Sequence, residues 1–143
     1  MWSYPIRLTE DDNGTFLVTC AAFPEVTTFG ETEGEARTHA LSAIEEAIAA
    51  RMADREAIPA PGPGGRIRVV LPAQTTAKIL LYQAMIERHL SKAQLARTLK
   101  VHRPEVDRLL NLRHSTRMDK LEDAFHALGK RIQIGVEENH AYG

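Results

Sequence analysis

The chain has 143 residues, of which 43% are hydrophobic and 26% charged, with a formal net charge of −1. That length allows one ordinary domain or two small ones, and the composition is that of a globular protein rather than a disordered or fibrous one. The single cysteine, Cys20, excludes an internal disulfide framework and a cysteine-based zinc site, and with no signal peptide or membrane-length apolar run the cytoplasm is the expected location.

The small net charge hides an asymmetry. Residues 1–72 carry 6 basic and 11 acidic side chains, whereas residues 73–143 carry 12 and 8. From Arg88 to Lys120 there are nine basic residues and three acidic ones. A basic patch is the electrostatic footprint expected of a partner with a phosphate backbone. An acidic half fits a basic partner, or simply a solvated surface.

Tyr4 to Glu10 alternates apolar and polar residues, as a half-buried strand does. Asp11-Asp12-Asn13-Gly14 is a tight-turn signal, and Thr15 to Ala21 is a second strand, so residues 4–21 read as a hairpin. The turn acids serve turn geometry and solvation, because nothing nearby supplies further metal ligands. Cys20 is expected as a small core residue. Phe23-Pro24 ends the second strand, and Thr27 to Phe29 is a short third one closed by Gly30. Thr32 to Glu35 has the form of a capping box. From Ala36 an amphipathic helix runs to about Arg55, with Ala36, Ala40, Leu41, Ile44, Ile48 and Met52 on its apolar face and His39 on the surface beside it. Residues 57–65, AIPAPGPGG, cannot continue a helix and form a linker or long loop. Residues 65–71 alternate again as a fourth strand, which gives a βββαβ order with a helix on one sheet face only. The other face, or an edge, is then free to pair with another chain.

Pro72 opens the second half. Residues 73–89 form a helix with Ala77, Leu80, Leu81, Ala84 and Met85 on one side. Residues 91–110, SKAQLARTLKVHRPEVDRLL, read as a helix-turn-helix. Ser91 is an N-cap and Gln94 completes a capping box. Leu95, Ala96 and Leu99 recur at helical spacing, and small Ala96 lets a second helix cross closely. Val101 is an apolar plug at the turn. Pro104 falls in the first turn of the next helix, where a missing N–H costs nothing. Val106, Leu109 and Leu110 face inward, which leaves His102, Arg103, Glu105, Asp107, Arg108 and Asn111 outward or at helix ends. Two ordinary helices of a bundle would share the individual marks but not their order. A polar loop follows, then a last helix capped by Thr116, with Met118, Leu121, Ala124, Phe125 and Leu128 inside and Gly129 as its stop. Residues 131–136 alternate as a short terminal strand that could pair with its symmetry mate in a dimer. The tail from Glu137 is expected to fray.

No metal-binding histidine spacing, phosphate-binding glycine loop or nucleophile elbow is present in the sequence, and the carboxylates form no obvious pair. No catalytic residue, cofactor or metal is therefore expected.

With both halves read, the chain resembles a HicB-family antitoxin over nearly its whole length. The first half is similar in YPIRLTEDDNGTFLV, in FPEVTTFGETEGEA and in IPAPGPG; Gly30-Glu31-Thr32 matches the helix start. The second half resembles the helix-turn-helix subgroup in QLARTL, in EVDRLLNLRHSTRMDKL and in ALGKRIQI, rather than the members that end in a ribbon-helix-helix. The resemblance implies an α+β protein. Residues 1–71 would be a partial RNase H-like βββαβ domain without catalysis that binds and blocks a small basic HicA-type toxin, an mRNA-cleaving ribonuclease. Residues 72–143 would be an all-helical helix-turn-helix domain with a short terminal strand that dimerises, or assembles further, and represses its own operon by binding operator DNA. No membrane contact is implied. Ser91 and Lys92 match phosphate-contacting positions, His102, Arg103 and Arg108 match outward positions of the recognition helix, and Asn111 matches a backbone-touching position at the helix end. Arg103 is the candidate for base readout, since arginine pairs bidentately with guanine. Lys100 departs from the pattern, standing where such motifs usually have glycine, so it must adopt an unusual turn or accept strain. The competing reading is a stand-alone transcriptional repressor whose first half senses a ligand or only dimerises.

Overall fold

A computed structural model describes residues 2–138. Strands β1 (Ser3–Glu10), β2 (Phe16–Thr19) and β3 (Thr27–Gly30) are followed by helix α1 (Glu33–Ala53) and strand β4 (Ile67–Val70), then by α2 (Ala73–Glu87), α3 (Lys92–Leu99), α4 (Arg103–Leu110) and α5 (Met118–Ala127). The fold is α+β: one antiparallel four-stranded sheet in the order β3-β2-β1-β4, and five helices. The chain leaves the sheet at one edge, β3, and re-enters at the other, β4, with α1 packed across all four strands.

Side-chain alternation decides which sheet face is covered. Tyr4, Ile6, Val18 and Val69 point under α1 and meet Ala36, Ala40, Ile44, Ala47, Ile48 and Met52. Thr32 caps α1 by accepting from the Glu35 N–H at 3.0 Å. Gly30 is required at the end of β3, because a Cβ there would stand 2.3 Å from the Ala36 nitrogen. Cys20 is buried in this core, as expected. Leu41 is only half-buried, and Ala47 takes the place that the apolar stripe assigned to it.

The Pro/Gly-rich stretch is pinned rather than loose. The Tyr4 hydroxyl donates to the Pro59 carbonyl at 2.6 Å, the Tyr82 hydroxyl to the Glu56 carbonyl at 2.5 Å, and the Arg68 guanidinium to the carbonyls of Gly62 and Gly64. Arg68 sits on β4 and also bonds Ser3 on β1, so the loop and the sheet edge share one anchor.

Helix α2 differs from the one-sided helix expected. Ile79 and Tyr82 belong to the core under α1, whereas Leu81, Ala84 and Met85 join Leu95, Val106, Leu109, Leu121 and Phe125 in a second core. Leu80, placed inside by the sequence pattern, is 41% exposed. A helix wedged between two cores buries two stripes, and Leu80 falls between them.

Lys78 is fully buried on this helix. Its ammonium donates to three backbone carbonyls: Arg108 at 3.0 Å, Asn111 at 2.7 Å and His114 at 2.5 Å. All three hydrogens of the ammonium are thereby used. The acceptors are the last-turn carbonyl of α4, which also accepts from the Asn111 N–H, and those of the loop after it, at the helix end whose partial negative charge suits an ammonium.

Two other expectations fail, and a third, a strand completed by a second copy, has no partner in the single chain. Thr116 does not cap α5; the helix starts behind Arg117 with no side-chain cap. Thr116 is buried instead, and its backbone is clamped from both sides by Gln74, whose Nε2 donates to the Thr116 carbonyl at 2.9 Å and whose Oε1 accepts from its N–H at 2.8 Å. Met118, expected inside, is 48% exposed. The terminal strand over 131–136 is absent: residues 131–138 form no helix or strand, because a strand needs a neighbouring edge and both sheet edges lie in the other half. Ile132 rests on the second core, while Ile134 and Val136 stand exposed. Of the tail expected to fray, Glu137 and Glu138 are exposed, and the residues beyond 138 lie outside the described region.

Replacing Lys78 by Met removes all three bonds, leaves the His114 carbonyl without a donor among the described residues, and should lower the unfolding free energy by about 3 kcal/mol, measured by urea denaturation at pH 7. Burial pushes the Lys78 ammonium down from 10.5 to about 8. The unfolded chain therefore binds the extra proton between those values, and wild-type stability rises with pH across that window. The gap between wild type and Lys78→Met should widen from pH 8 to pH 10.5.

Candidate nucleic-acid interface

Helices α3 and α4 have eight residues each, too short to persist without help from caps and packing. The help is local and complete for α3. The Ser91 hydroxyl accepts from the Gln94 N–H at 3.1 Å and the Gln94 side chain accepts from the Ser91 N–H at 2.8 Å, the full capping box. At the other end Lys100 takes a left-handed conformation, φ 57° and ψ 45°. The Val101 N–H then reaches back to the Ala96 carbonyl at 3.0 Å and the Lys100 N–H to the Arg97 carbonyl at 3.2 Å, a Schellman turn. Lys100 therefore does what glycine usually does there, at a conformational cost. Arg55 and His89 end α1 and α2 the same way with positive φ; only α5 uses a glycine, Gly129.

The turn sends the chain into α4 with Pro104 in its first turn and His102 as a cap that lacks a side-chain bond. Leu95, Ala96, Val106 and Leu109 are buried. The outer face of α4 is left with Arg103, Pro104, Asp107 and Arg108, all exposed.

The candidate residues fall into three places. Ser91, Lys92, Arg103 and Asn111 come together along one cleft of about 590 Å³, whose far wall is the end of α1 with Met52 and Arg55. Arg108 lines a separate groove of about 810 Å³ on the other flank of α4, beside Leu109, Arg117 and Lys120. His102 lines neither. Within the cleft Lys92 is paired with Asp107 at 3.0 Å. Both partners are well exposed, so the pair is weak and a phosphate could displace the carboxylate. Asn111 is committed to structure: its Oδ1 accepts from the Arg113 N–H at 2.9 Å and its carbonyl accepts from Lys78. Arg97, Lys100, Arg103 and Arg108 make no ion pair among the described residues, which leaves four guanidinium or ammonium groups facing solvent.

Two features of the site escaped the sequence reading. One is Lys78, whose spacing to Leu81, Tyr82 and Met85 puts it on a buried stripe and could have flagged it. The other is the Lys92–Asp107 pair, which needs the helix crossing to be known. Among the described residues no cluster of three metal-ligating side chains exists, and no helix is long and apolar enough to cross a membrane.

Comparison with known proteins matches residues 3–80 to the family described as HicB_like antitoxin of bacterial toxin-antitoxin system. The chain belongs to this HicB-like antitoxin family. Antitoxin HicB of Pseudomonas fluorescens (strain Pf0-1) is 37% identical over 140 residues, covering 96% of this chain and 95% of that protein. Antitoxin HicB 1 of Photorhabdus laumondii is 34% identical, covering 94% and 86%, and Antitoxin HicB of Escherichia coli (strain K12) is 33% identical, covering 92% and 96%. The family match ends inside α2, whereas the HicB relatives continue through α3, α4 and α5. Membership in an antitoxin family points to a regulatory role, not a catalytic one.

Replacing Lys100 by Gly should relieve the left-handed backbone and raise stability by about 1 kcal/mol, read as a higher thermal midpoint. Ala at the same position should bring no such gain.

Proposed function

We propose that this antitoxin binds and neutralises a HicA-type mRNA-cleaving toxin through residues 1–71 and represses its own operon by binding operator DNA through α3 and α4. In this reading α3–Lys100–α4 is a helix-turn-helix, with α4 as the recognition helix. The observation that carries the DNA half is the joint placement of Ser91, Lys92, Arg103 and Asn111 along one cleft, beside a short helix held by a complete capping box and a left-handed turn. Ser91, Lys92 and Asn111 would contact phosphates, His102 and Arg108 would flank the groove, and Arg103 would read a base.

The toxin half is supported by the family match, which falls on residues 3–80, and by the excess of acidic side chains in residues 1–72. A ribonuclease must hold RNA on a basic surface, and an acidic partner suits that surface. The βββαβ order with α1 on one sheet face agrees with an RNase H-like ancestry of this half. Dimerisation is supported by residues 131–136, where Ile134 and Val136 alternate along an unpaired, exposed segment. Pairing with the same segment of a second copy would supply the missing edge and present two recognition helices to two half-sites. A cytoplasmic location is supported by the two proposed partners, an mRNA-cleaving toxin and operon DNA.

Fluorescence anisotropy with the promoter DNA of its own operon tests the DNA half. Lys92→Ala should weaken all sequences about equally and lower the salt slope by about one. Arg103→Ala should cost roughly 1–3 kcal/mol on the operator and relax sequence preference. Equal loss on operator and random DNA would remove the base-readout role from Arg103.

A further inference from the structure

On the sheet face opposite α1 the loop at Gly62–Gly65 lies against Pro5 and Arg68, whereas the part formed by β2, β3 and the end of β1 is open, and its exposed apolar side chains are not scattered evenly. The register sets Thr9, Leu17 and Phe29 side by side across β1, β2 and β3. Leu17 is 41% and Phe29 61% exposed. A large aromatic standing that far out of a sheet, beside an exposed leucine, is the composition of an interface anchor.

Carboxylates gather at this end of the sheet. The next rung is Glu10, Phe16 and Gly30, a row that alternates to the α1 face. Beyond it the β1–β2 turn begins with Asp11 and Asp12, and β3 runs directly into Glu31. The close packing of Gly30 on Ala36 brings the first turn of α1, with Glu33 and Glu35, to the same end. All six acidic side chains are exposed. They are six of the 11 in residues 1–72, so the acidity of this half is concentrated at one end of the sheet. The neighbouring cations are Arg37, already paired with Glu33 at 3.2 Å, and Arg7, one row further from the acidic end.

The edge of β3 is a poor template for strand addition. It is four residues long, and its Phe29 carbonyl is held by the His39 Nδ1 at 2.6 Å. A partner would meet side chains here, not backbone.

We propose that the basic toxin docks on this end of the outer sheet face, with Phe29 and Leu17 as apolar anchors beside the carboxylates of Asp12 and Glu31, and with Glu10 and Glu35 adding negative charge from the α1 side of the same end. The assignment rests on the toxin-binding reading above and adds the surface that performs it. These carboxylates meet the cations with which a ribonuclease holds RNA, so antitoxin and RNA compete for one surface. Asp11 is the least available of the acids, because its carboxylate already accepts from the N–H groups of Asn13 and Thr15.

The test is calorimetric titration of the full chain with the toxin encoded beside it, together with its RNA-cleavage assay. Phe29→Asp and Leu17→Glu should each weaken the complex by about 100-fold and restore RNA cleavage. The double reversal Asp12→Lys, Glu31→Lys should weaken it at least about tenfold and flatten its salt dependence. Val70→Asp, on the same face but beside Ser3 at the other end and 43% exposed, should stay within about threefold. Each variant is compared at an unchanged thermal midpoint; these positions are exposed, and the two anchor variants check one another. A wild-type chain that binds the toxin while Phe29→Asp and Leu17→Glu bind it equally well overturns this surface alone. A loss at Val70→Asp as large as at Phe29→Asp overturns it too. A wild-type chain that leaves the toxin unbound overturns the toxin-binding reading with it.

Discussion

One ammonium group ties the helical half together. Lys78 stands on α2, the helix shared by both cores, and its three hydrogens end on carbonyls from the last turn of α4 and the loop behind it. The negative end of a helix facing the interior gains from a cation, and a buried charge needs hydrogen bonds to offset its lost hydration. Each requirement satisfies the other. With the C-terminus of α4 fixed in this way and its N-terminus fixed by the Lys100 turn, the exposed face carrying Arg103, Asp107 and Arg108 has little freedom left. A base-reading helix benefits from that rigidity, because a misplaced guanidinium loses its paired hydrogen bonds.

The two halves are joined by more than chain connectivity. Ile79 and Tyr82 of α2 sit in the core under α1, and the Tyr82 hydroxyl holds the Glu56 carbonyl. Thr75 donates to Glu45 at 2.7 Å, and Arg113 from the loop after α4 pairs with Glu46 at 2.9 Å. The Arg55 guanidinium reaches the Leu90 carbonyl at 3.2 Å, next to the cap of α3. The exposed pairs add little energy, but the shared helix is packed on both sides. The proposed toxin surface, at the β1–β2 turn and the start of α1, lies at the opposite end of α1 from the cleft that holds Lys92 and Arg103. One antitoxin could thus hold its toxin and its operator at once, with α1 as the spacer.

Charge is distributed to match these two proposed tasks. Carboxylates gather at the end of the sheet that carries exposed Phe29 and Leu17, whereas Arg97, Lys100, Arg103 and Arg108, which make no ion pair among the described residues, stand on α3, the turn and α4. A net charge of −1 cancels both patches on paper. Screening acts over roughly 10 Å, so the patches act independently on whatever approaches each end.

Patterns with a short physical range were legible in the sequence. Alternation, a turn signal and a 3.6-residue stripe placed the hairpin, the βββαβ order and α1, because each depends only on near neighbours along the chain. The capping box of Ser91 and Gln94 and the odd conformation at Lys100 were readable for the same reason, and so was membership in the antitoxin family, which motifs in both halves carried. Tertiary structure alone decided the rest. Only the wedging of α2 between two cores could turn Leu80 outward and bury Lys78, and only the clamp from Gln74 could take Thr116 away from capping α5. The alternation of residues 131–136 is a real apolar pattern with no sheet edge within reach, so it forms no strand in the single chain. The cluster of carboxylates at the Phe29 end of the sheet is likewise assembled from a turn, a strand end and a helix start, brought to one end through the sheet register and the Gly30–Ala36 contact, and scattered along the sequence.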